Sequence, residues 1–162
     1  MENNLLVRIL RDAAPGLMKA SGGGAWPWVH VELSALERTI KLVCERAGVK
    51  APCALVGRDT GQEIELTYML RCADGVVYGV RTQLSRNAPR VPSLAAQWPA
   101  LEYHERELTE LLGIAFEGAA QGRFLLPEEW VGQPLRKDYV YPENYKGVEH
   151  RRTPLRKEHQ RP

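Results

Sequence analysis

Four glutamates and a histidine crowd one short stretch, PALEYHERELTELLG, at residues 99–113: Glu102, His104, Glu105, Glu107 and Glu110. Paired carboxylates are equipment for general acid–base work, provided that both reach one substrate. At about 100° per residue on a helix, Leu101, His104, Leu108, Leu111 and Leu112 share one side, and Glu102, Arg106 and Glu110 lie opposite. Glu105 and Glu107 fall on the two edges of the apolar stripe, about 160° apart. Carboxylates so placed cannot act together on one substrate. The spacing gives instead a ladder, Glu102–Arg106–Glu110, worth about 0.2–0.5 kcal/mol for each exposed i to i+4 step. The two edge carboxylates are then either solvated, or Glu105 or Glu107 meets a cation of the segment that follows. His104, on the apolar side, is expected to be a satisfied buried or boundary histidine.

The second stretch with chemical potential is PLRKDY, Pro134 to Tyr139, which nearly returns in the tail as PLRKE, Pro154 to Glu158. Pro134 presets φ and lacks an amide hydrogen, so the phrase is expected to be extended. In an extended strip Leu135 and Lys137 point one way, Arg136 and Asp138 the other. Arg136 has the planar fork for a bidentate pair with a carboxylate, a contact that suits a buried interface better than a solvated loop. A catalytic strip, an anion cradle and a docking surface all remain open for the phrase at this point, and the tail echo is assigned no role.

Other chemistries lack their residues. The three cysteines, Cys44, Cys53 and Cys72, show no C-x-x-C spacing and sit where an apolar residue would fit, so buried reduced thiols are expected. The four histidines, His30, His104, His150 and His159, form no cluster with them, and no metal is expected. The glycine-rich SGGGAW precedes a strand instead of bridging strand to helix, so it does not resemble a phosphate loop, and no nucleophile elbow occurs.

The elements that must position these residues can be read from periodicity. The chain has 162 residues, 44% apolar and 26% charged, which suits one globular domain. A helix is expected over residues 3–13, loosely tied through SGGGAWP. WVHVEL alternates as a strand. Ser34 to Glu37 has the spacing of a capping box, with Leu36, Ile40, Val43, Cys44 and Ala47 as the buried face of the next helix. CALVGR, EIELTYMLRC and VVYGVRTQL then make a meander, in which Ile64, Leu66, Tyr68, Leu70 and Cys72 point inward. RNAPRVPS is a Pro-rich loop, and Ser93 is placed to cap a short helix through Trp98. A longer helix runs from about Ala100 to Leu112 and stops at Gly113. The fold class is α+β: an antiparallel or mixed sheet with helices on one face, then a helix and an extended irregular C-terminal segment. The boundaries expected are 1–20 for the N-terminal helix, 26–116 for the α+β domain, 117–145 for an extended docking segment and 146–162 for a basic tail.

Two blocks carry a family resemblance. Glu105-Arg106-Glu107, Glu110, the following leucines, Gly113-Ile114 and Phe116-Glu117-Gly118 form the first. Leu125 to Trp130, Gly132 and Pro134 to Tyr139 form the second, which resembles the hallmark LLPEDWEGHPLRKDY. In that order and spacing the chain resembles, from about Trp26 to Tyr145, the thirty-kilodalton subunit of respiratory complex I, which bacteria have as the C subunit of NADH–quinone oxidoreductase. The same family includes the equivalent subunit of energy-converting membrane-bound hydrogenases. Ala119 stands where the family often has histidine. Thr109 and Glu110 replace an aromatic residue and aspartate of many complex I members, a departure toward the hydrogenase side; the subgroup stays open.

The resemblance implies a structural subunit of the peripheral arm, with no active site of its own, docked on the large quinone-site or [NiFe] subunit and the iron–sulfur subunits. It implies no cofactor in this chain, with the iron–sulfur clusters in the partners. The implied partner-binding residues are Glu105, Arg106, Glu107, Glu110, Trp130, Pro134, Leu135, Arg136, Lys137, Asp138 and Tyr139. No apolar run approaches the roughly eighteen residues of a membrane span, and MENNLLVRIL does not have the pattern of a signal peptide. A cytoplasmic chain at the inner face of the cell membrane, reaching the membrane only through the complex, is expected.

The rival class is a nucleic-acid-binding module built on the tail, which from Lys146 holds six Lys/Arg against two Glu. That tail lacks the aromatic residues that stacking on single strands would use, and no nucleic acid is expected as a partner. Its charge, prolines and low apolar content predict disorder from Tyr145 on in the free chain and order in a complex. Hydrogen exchange on the free chain checks this: fast exchange across 148–162 is expected, and strong protection there would refute it.

Overall fold

The structure, a computed structural model, describes residues 5–22, 26–49, 52–120 and 122–149. Helix α1 (Leu5–Ala13) leads into strand β1 (Met18–Gly22) and strand β2 (Trp28–Val31). A 3-10 turn (Leu33–Ala35) opens helix α2 (Leu36–Ala47), which ends at Gly48. Strands β3 (Pro52–Asp59), β4 (Glu63–Arg71) and β5 (Val77–Ser85) follow as the expected meander. Short strand β6 (Arg90–Pro92), helix α3 (Leu101–Leu112), strand β7 (Ala115–Glu117) and a hairpin of β8 (Asn144–Tyr145) and β9 (Val148–Glu149) complete the described elements.

The main sheet is mixed and five-stranded, in the order β1-β2-β5-β4-β3. Within it only β2 and β5 pair in parallel, with Trp28 opposite Gly79 and His30 opposite Arg81. The alternation in β4 is borne out: Ile64, Leu66, Tyr68 and Leu70 are fully buried and meet Leu36, Ile40 and Val43 of α2 in one core. All three helices lie toward this inner face, α3 on β3 and α2 on β5. The α+β class therefore holds.

Several local expectations do not. Helix α1 is firmly held, because Leu6 and Leu10 are buried in the core. Ser21 and Gly22, read as the start of a flexible joint, end edge strand β1 instead. Gly23, Gly24 and Ala25, the middle of that joint, lie outside the described residues. The capping box does not form: Ala35 is the N-cap and contributes no side-chain bond, and Glu37 pairs with Lys41 (2.8 Å) and accepts from Gln97 (3.0 Å). The segment after Ser93 is a turn, not a short helix, and the Pro-rich loop before it contributes β6, paired in parallel with β7. Residues 144–149 form a hairpin that takes in the start of the tail, whose disorder in the free chain is left to the exchange measurement. Its remainder, 150–162, including the PLRKE echo, His150 and His159, lies outside the described residues.

Helix α3 is seated by close approach to β3. A Cβ on Gly57 would lie 2.5 Å from Leu112 Cδ1 and 3.0 Å from Leu108 Cδ2. Gly57→Val should therefore push α3 off the sheet, at a cost of about 1–3 kcal/mol from overpacking. Urea unfolding of the free chain measures this.

Candidate functional site

Helix α3 and the segment after it form one structural unit, joined by carboxylates and carbonyls of the helix. Residues 118–143 contain no helix or strand among those described, so their amides need other partners. Glu110 supplies three of them. Its Oε1 accepts from the Phe124 amide at 2.7 Å, its Oε2 from Leu126 at 2.7 Å, and the Leu125 amide lies 3.3 and 3.2 Å from the two oxygens. Successive amides converging on one anion make a nest. Burial pushes the Glu110 carboxyl up, but the amides of Leu126, Phe124 and Leu125, with the charge of Arg123, outweigh it and hold it below its usual range. Arg123 then folds the next loop, donating through Nη1 to the carbonyls of Pro127 (2.9 Å), Glu128 (3.1 Å) and Trp130 (2.8 Å).

The PLRKDY phrase is a second clasp, and its geometry differs from the extended strip expected. Residues 134–139 form consecutive turns, with the Arg136 amide bonded to Gln133 O and the Tyr139 amide to Arg136 O. Arg136 meets no carboxylate among the described residues: its Nε donates to Leu112 O at 2.6 Å and its Nη1 to Arg86 O at 2.7 Å. Together with the Leu135 amide on Leu111 O (3.0 Å), it satisfies carbonyls that the end of α3 leaves open.

The carboxylate partner belongs to a different arginine. Arg86 is bidentate to Asp59, Nε to Oδ1 at 2.9 Å and Nη2 to Oδ2 at 2.8 Å. It also grips Asp138, Nη2 to Oδ1 at 2.6 Å and Nη1 to Oδ2 at 3.2 Å. Asp59, at the end of β3, is buried and takes two further bonds, from the amides of Lys137 and Gly61, each at 2.8 Å. The Arg86 bonds, followed by those amides, hold the Asp59 carboxyl far below its usual range against the opposing effect of burial. The Asp138 side chain is 69% exposed, so its pair is the weaker half of this network.

The glutamates of α3 depart from the helical wheel. Glu105 is fully buried, accepting from the Ser93 hydroxyl (2.5 Å) and the Leu94 amide (2.9 Å). Burial raises its carboxyl, only partly offset by these donors. Glu110 is buried too, not solvated. The ladder keeps one long rung, Glu102 to Arg106 at 3.9 Å, and its second rung is lost to the amide nest. Arg106 instead lies over the Phe124 ring at 4.7 Å, and Glu107 and His104 are half-buried beside the helix.

Trp130 and Tyr139 stack at 6.3 Å, and Tyr141 meets Tyr139 edge-on at 4.9 Å. Gly132 permits this with φ +84°, and a Cβ there would lie 2.8 Å from the Tyr139 ring. Leu135 and Lys137 remain exposed and Pro134 half-buried.

Three residues of these clasps, Asp59, Arg86 and Arg123, were not among the candidates read from the sequence. The Asp59-Thr60-Gly61 turn was legible, but nothing in its spacing announced a partner 27 residues away. The expectation of three buried thiols fails at Cys53, which is exposed; burial pushes Cys44 and Cys72 up to about 11. Among the described residues no group of three or more His, Cys, Asp or Glu is placed to hold a metal ion, and no helix is long and apolar enough to cross a membrane.

The family described as respiratory-chain NADH dehydrogenase, 30 Kd subunit, matches residues 29–146. The chain belongs to this family. Among its relatives, the chloroplastic J subunit of NAD(P)H-quinone oxidoreductase from Solanum lycopersicum is 33% identical over 102 residues, 60% of this chain and 65% of the relative. The NADH-quinone oxidoreductase C subunit of Chloroherpeton thalassium is 44% identical over 70 residues, 43% of this chain and 29% of the relative. Its counterpart in Moorella thermoacetica is 42% identical over 80 residues, 48% of this chain and 54% of the relative. The matches thus span less than two thirds of these relatives. Two solved structures share the fold. A trypsin-resistant fragment of Nqo5 superposes with TM-score 0.61 at 22% identity, covering 72% of this chain and 98% of the fragment. A chain of a membrane-bound sulfane sulfur reductase, an archaeal respiratory membrane complex, does so with TM-score 0.67 at 21% identity and 83% coverage of each.

Two measurements check the clasps. Glu110→Gln turns an amino group toward amide donors, so hydrogen exchange at Phe124, Leu125 and Leu126 should accelerate while the sheet stays protected. Asp59 is depressed in the folded state, so its contribution to stability is full above its unfolded value near 4 and fades as pH falls toward the native value. Asp59→Asn should therefore be less stable than the parent at pH 7, by a margin that narrows below about pH 4. Thermal melts across that range read it.

Proposed function

We propose that the chain is a non-catalytic docking subunit of the peripheral arm of a membrane-bound oxidoreductase complex, of the complex I or energy-converting [NiFe] hydrogenase kind. One observation carries this reading: side chains engage backbone amides and carbonyls of the segment 122–142, while several of its apolar side chains stay exposed. Glu110, Arg123, Arg136 and Asp59 take up amides and carbonyls of this segment and of the elements it covers. Meanwhile Leu125 is 48% exposed, Leu135 52%, and Val131 and Val140 84% each. A free chain gains nothing by ordering a segment in order to show such side chains to water; a partner surface gives the arrangement a purpose.

In this reading Leu135, Lys137, Trp130 and Tyr139 meet the partner, with Pro134 shaping the turn. Glu105, Arg106, Glu107, Glu110, Arg136 and Asp138 act from beneath, by holding the surface in place. The partners are the large quinone-site or [NiFe] subunit and the iron–sulfur subunits. The clusters that carry electrons reside in those partners, and this chain binds no redox cofactor. It lies at the inner face of the cell membrane, attached through the complex. Membership of the 30 Kd family supports the reading.

Arg136→Ala removes two charge-assisted bonds, on the order of 2–3 kcal/mol of clasp stability. Arg136→Lys should also weaken the clasp, because an ammonium cannot span both carbonyls as the planar fork does. The amount of assembled complex should fall with the amount of ordered subunit, while turnover per assembled complex stays unchanged. Normal assembly with collapsed turnover would give Arg136 a part in the chemistry and overturn the proposal. A stoichiometric flavin or iron–sulfur absorption band in the purified free chain would overturn the absence of a cofactor.

A further inference from the structure

The helices cover one face of the main sheet, and the other face carries an open groove of about 520 Å³. It runs across β2, β5, β4 and β3, between Trp26 and Trp28 at one end and Val56 at the other, with Met69 and Val77 along it. Trp26 is 59% exposed and Val56 49%. Gly79 lies in its lining: a Cβ there would sit 3.0 Å from Thr67 Cγ2 and 3.1 Å from Trp28 Cβ, so a side chain would crowd the groove.

Among the lining residues described, Arg81 is the one with a charge. Its guanidinium is fixed from two sides. It stacks over the Trp28 ring at 4.4 Å, and its Nε donates to Thr67 Oγ1 at 3.2 Å. The nearby carboxylate does not satisfy it. Glu65 gives its Oε2 to Arg58, through Nε at 2.8 Å and through Nη2, and its Oε1 makes only a long ion pair with Arg81 Nη1, at 4.0 Å, beyond hydrogen-bond reach. Both Nη nitrogens of Arg81 are thus without a hydrogen-bond partner among the described residues, on a guanidinium whose position is already set.

We infer that this groove is a second docking face, distinct from the C-terminal segment, and that it takes a segment of a partner protein presenting an apolar side chain next to an Asp or Glu. The charge selects the acid: a preset guanidinium with open donors makes a bidentate pair with a carboxylate at little ordering cost. The lining selects a protein side chain, because Trp, Met and Arg are the residues enriched in the cores of protein interfaces. The inference rests on the chain being a docking subunit.

Cys53, which is exposed and lines the groove, reports on its occupancy, while Cys44 and Cys72 are half-buried and buried. N-ethylmaleimide alkylation of Cys53, read by mass spectrometry, is compared between the free chain and the native complex purified through this chain. A photo-cross-linking amino acid at Val56 maps what covers the groove. Alkylation in the free chain, protection in the complex, and a cross-link to a partner segment with an acid beside an apolar residue are expected. Arg81→Gln should abolish both protection and cross-link, with the melting temperature of the free chain and the attachment of the C-terminal segment retained. Val56→Asp, on the exposed rim, should do the same through charge repulsion if Arg81→Gln unfolds. A complex that forms with Cys53 as reactive as in the free chain overturns the second face alone. Protection that disappears on delipidation, or a cross-link to a second copy of this chain, overturns the chosen occupant. Failure to co-purify with any other subunit overturns the docking function and this inference with it.

Discussion

A segment outside helix and sheet must still find a partner for every amide and carbonyl it withdraws from water, and among the described residues of 118–143 side chains meet much of that demand. The rest of the site follows from how that demand is met. Glu110 gives its carboxylate to three successive amides, Arg123 gathers three carbonyls, and Arg136 closes the last turn of α3. Arg123 is itself an exposed side chain of the segment, whereas Glu110 and Arg136 are buried and half-buried. The polar demand is met while the side chains of Leu125, Val131, Leu135 and Val140 stay exposed.

Helix α3 accordingly serves two layers. Leu101, Leu108 and Leu112 seat it in the core, with Gly57 allowing close contact. Its other surfaces carry Glu105, which fixes the Ser93–Leu94 turn, and Glu110, which fixes the C-terminal segment. The buried Asp59–Arg86 pair extends the same logic to the sheet, because Lys137 and Asp138 attach to it at the ends of β3 and β5. Removing one member of a buried pair costs more than the pair contributes, since the other charge is left unpaired. That asymmetry makes the network a strong determinant of where PLRKDY sits.

Much of this was legible in the sequence. Period-two alternation located β4 and its buried face, and the leucine spacing and Gly113 bounded α3 within a residue. The two family blocks supply Glu110, Arg136 and Asp138 to the clasps, while Asp59, Arg86 and Arg123 lie outside them. What failed did so largely for one physical reason. A helical wheel reports which residues face the first packed layer, and it has no knowledge of a second layer laid over the other side. Glu110 therefore read as solvated, although the segment 124–126 covers it. Arg136 has the chemistry for a carboxylate, yet two carbonyls lay within its reach and the neighbouring Arg86 had already taken Asp59. Ser21 and Gly22, at the end of β1, are of types that composition alone assigns to a joint.

The PLRKDY phrase clasps its own domain, and under the proposed docking function the side chains around it are those a partner would cover. A high-resolution cryo-electron microscopy map of the native complex tests this most directly. Arg136 should be found still bound to the carbonyls of Leu112 and Arg86 within this chain, with Leu135 and Val140 covered by another subunit. Arg136 reaching across to a carboxylate of the partner, with Leu135 and Val140 left in solvent, would contradict it.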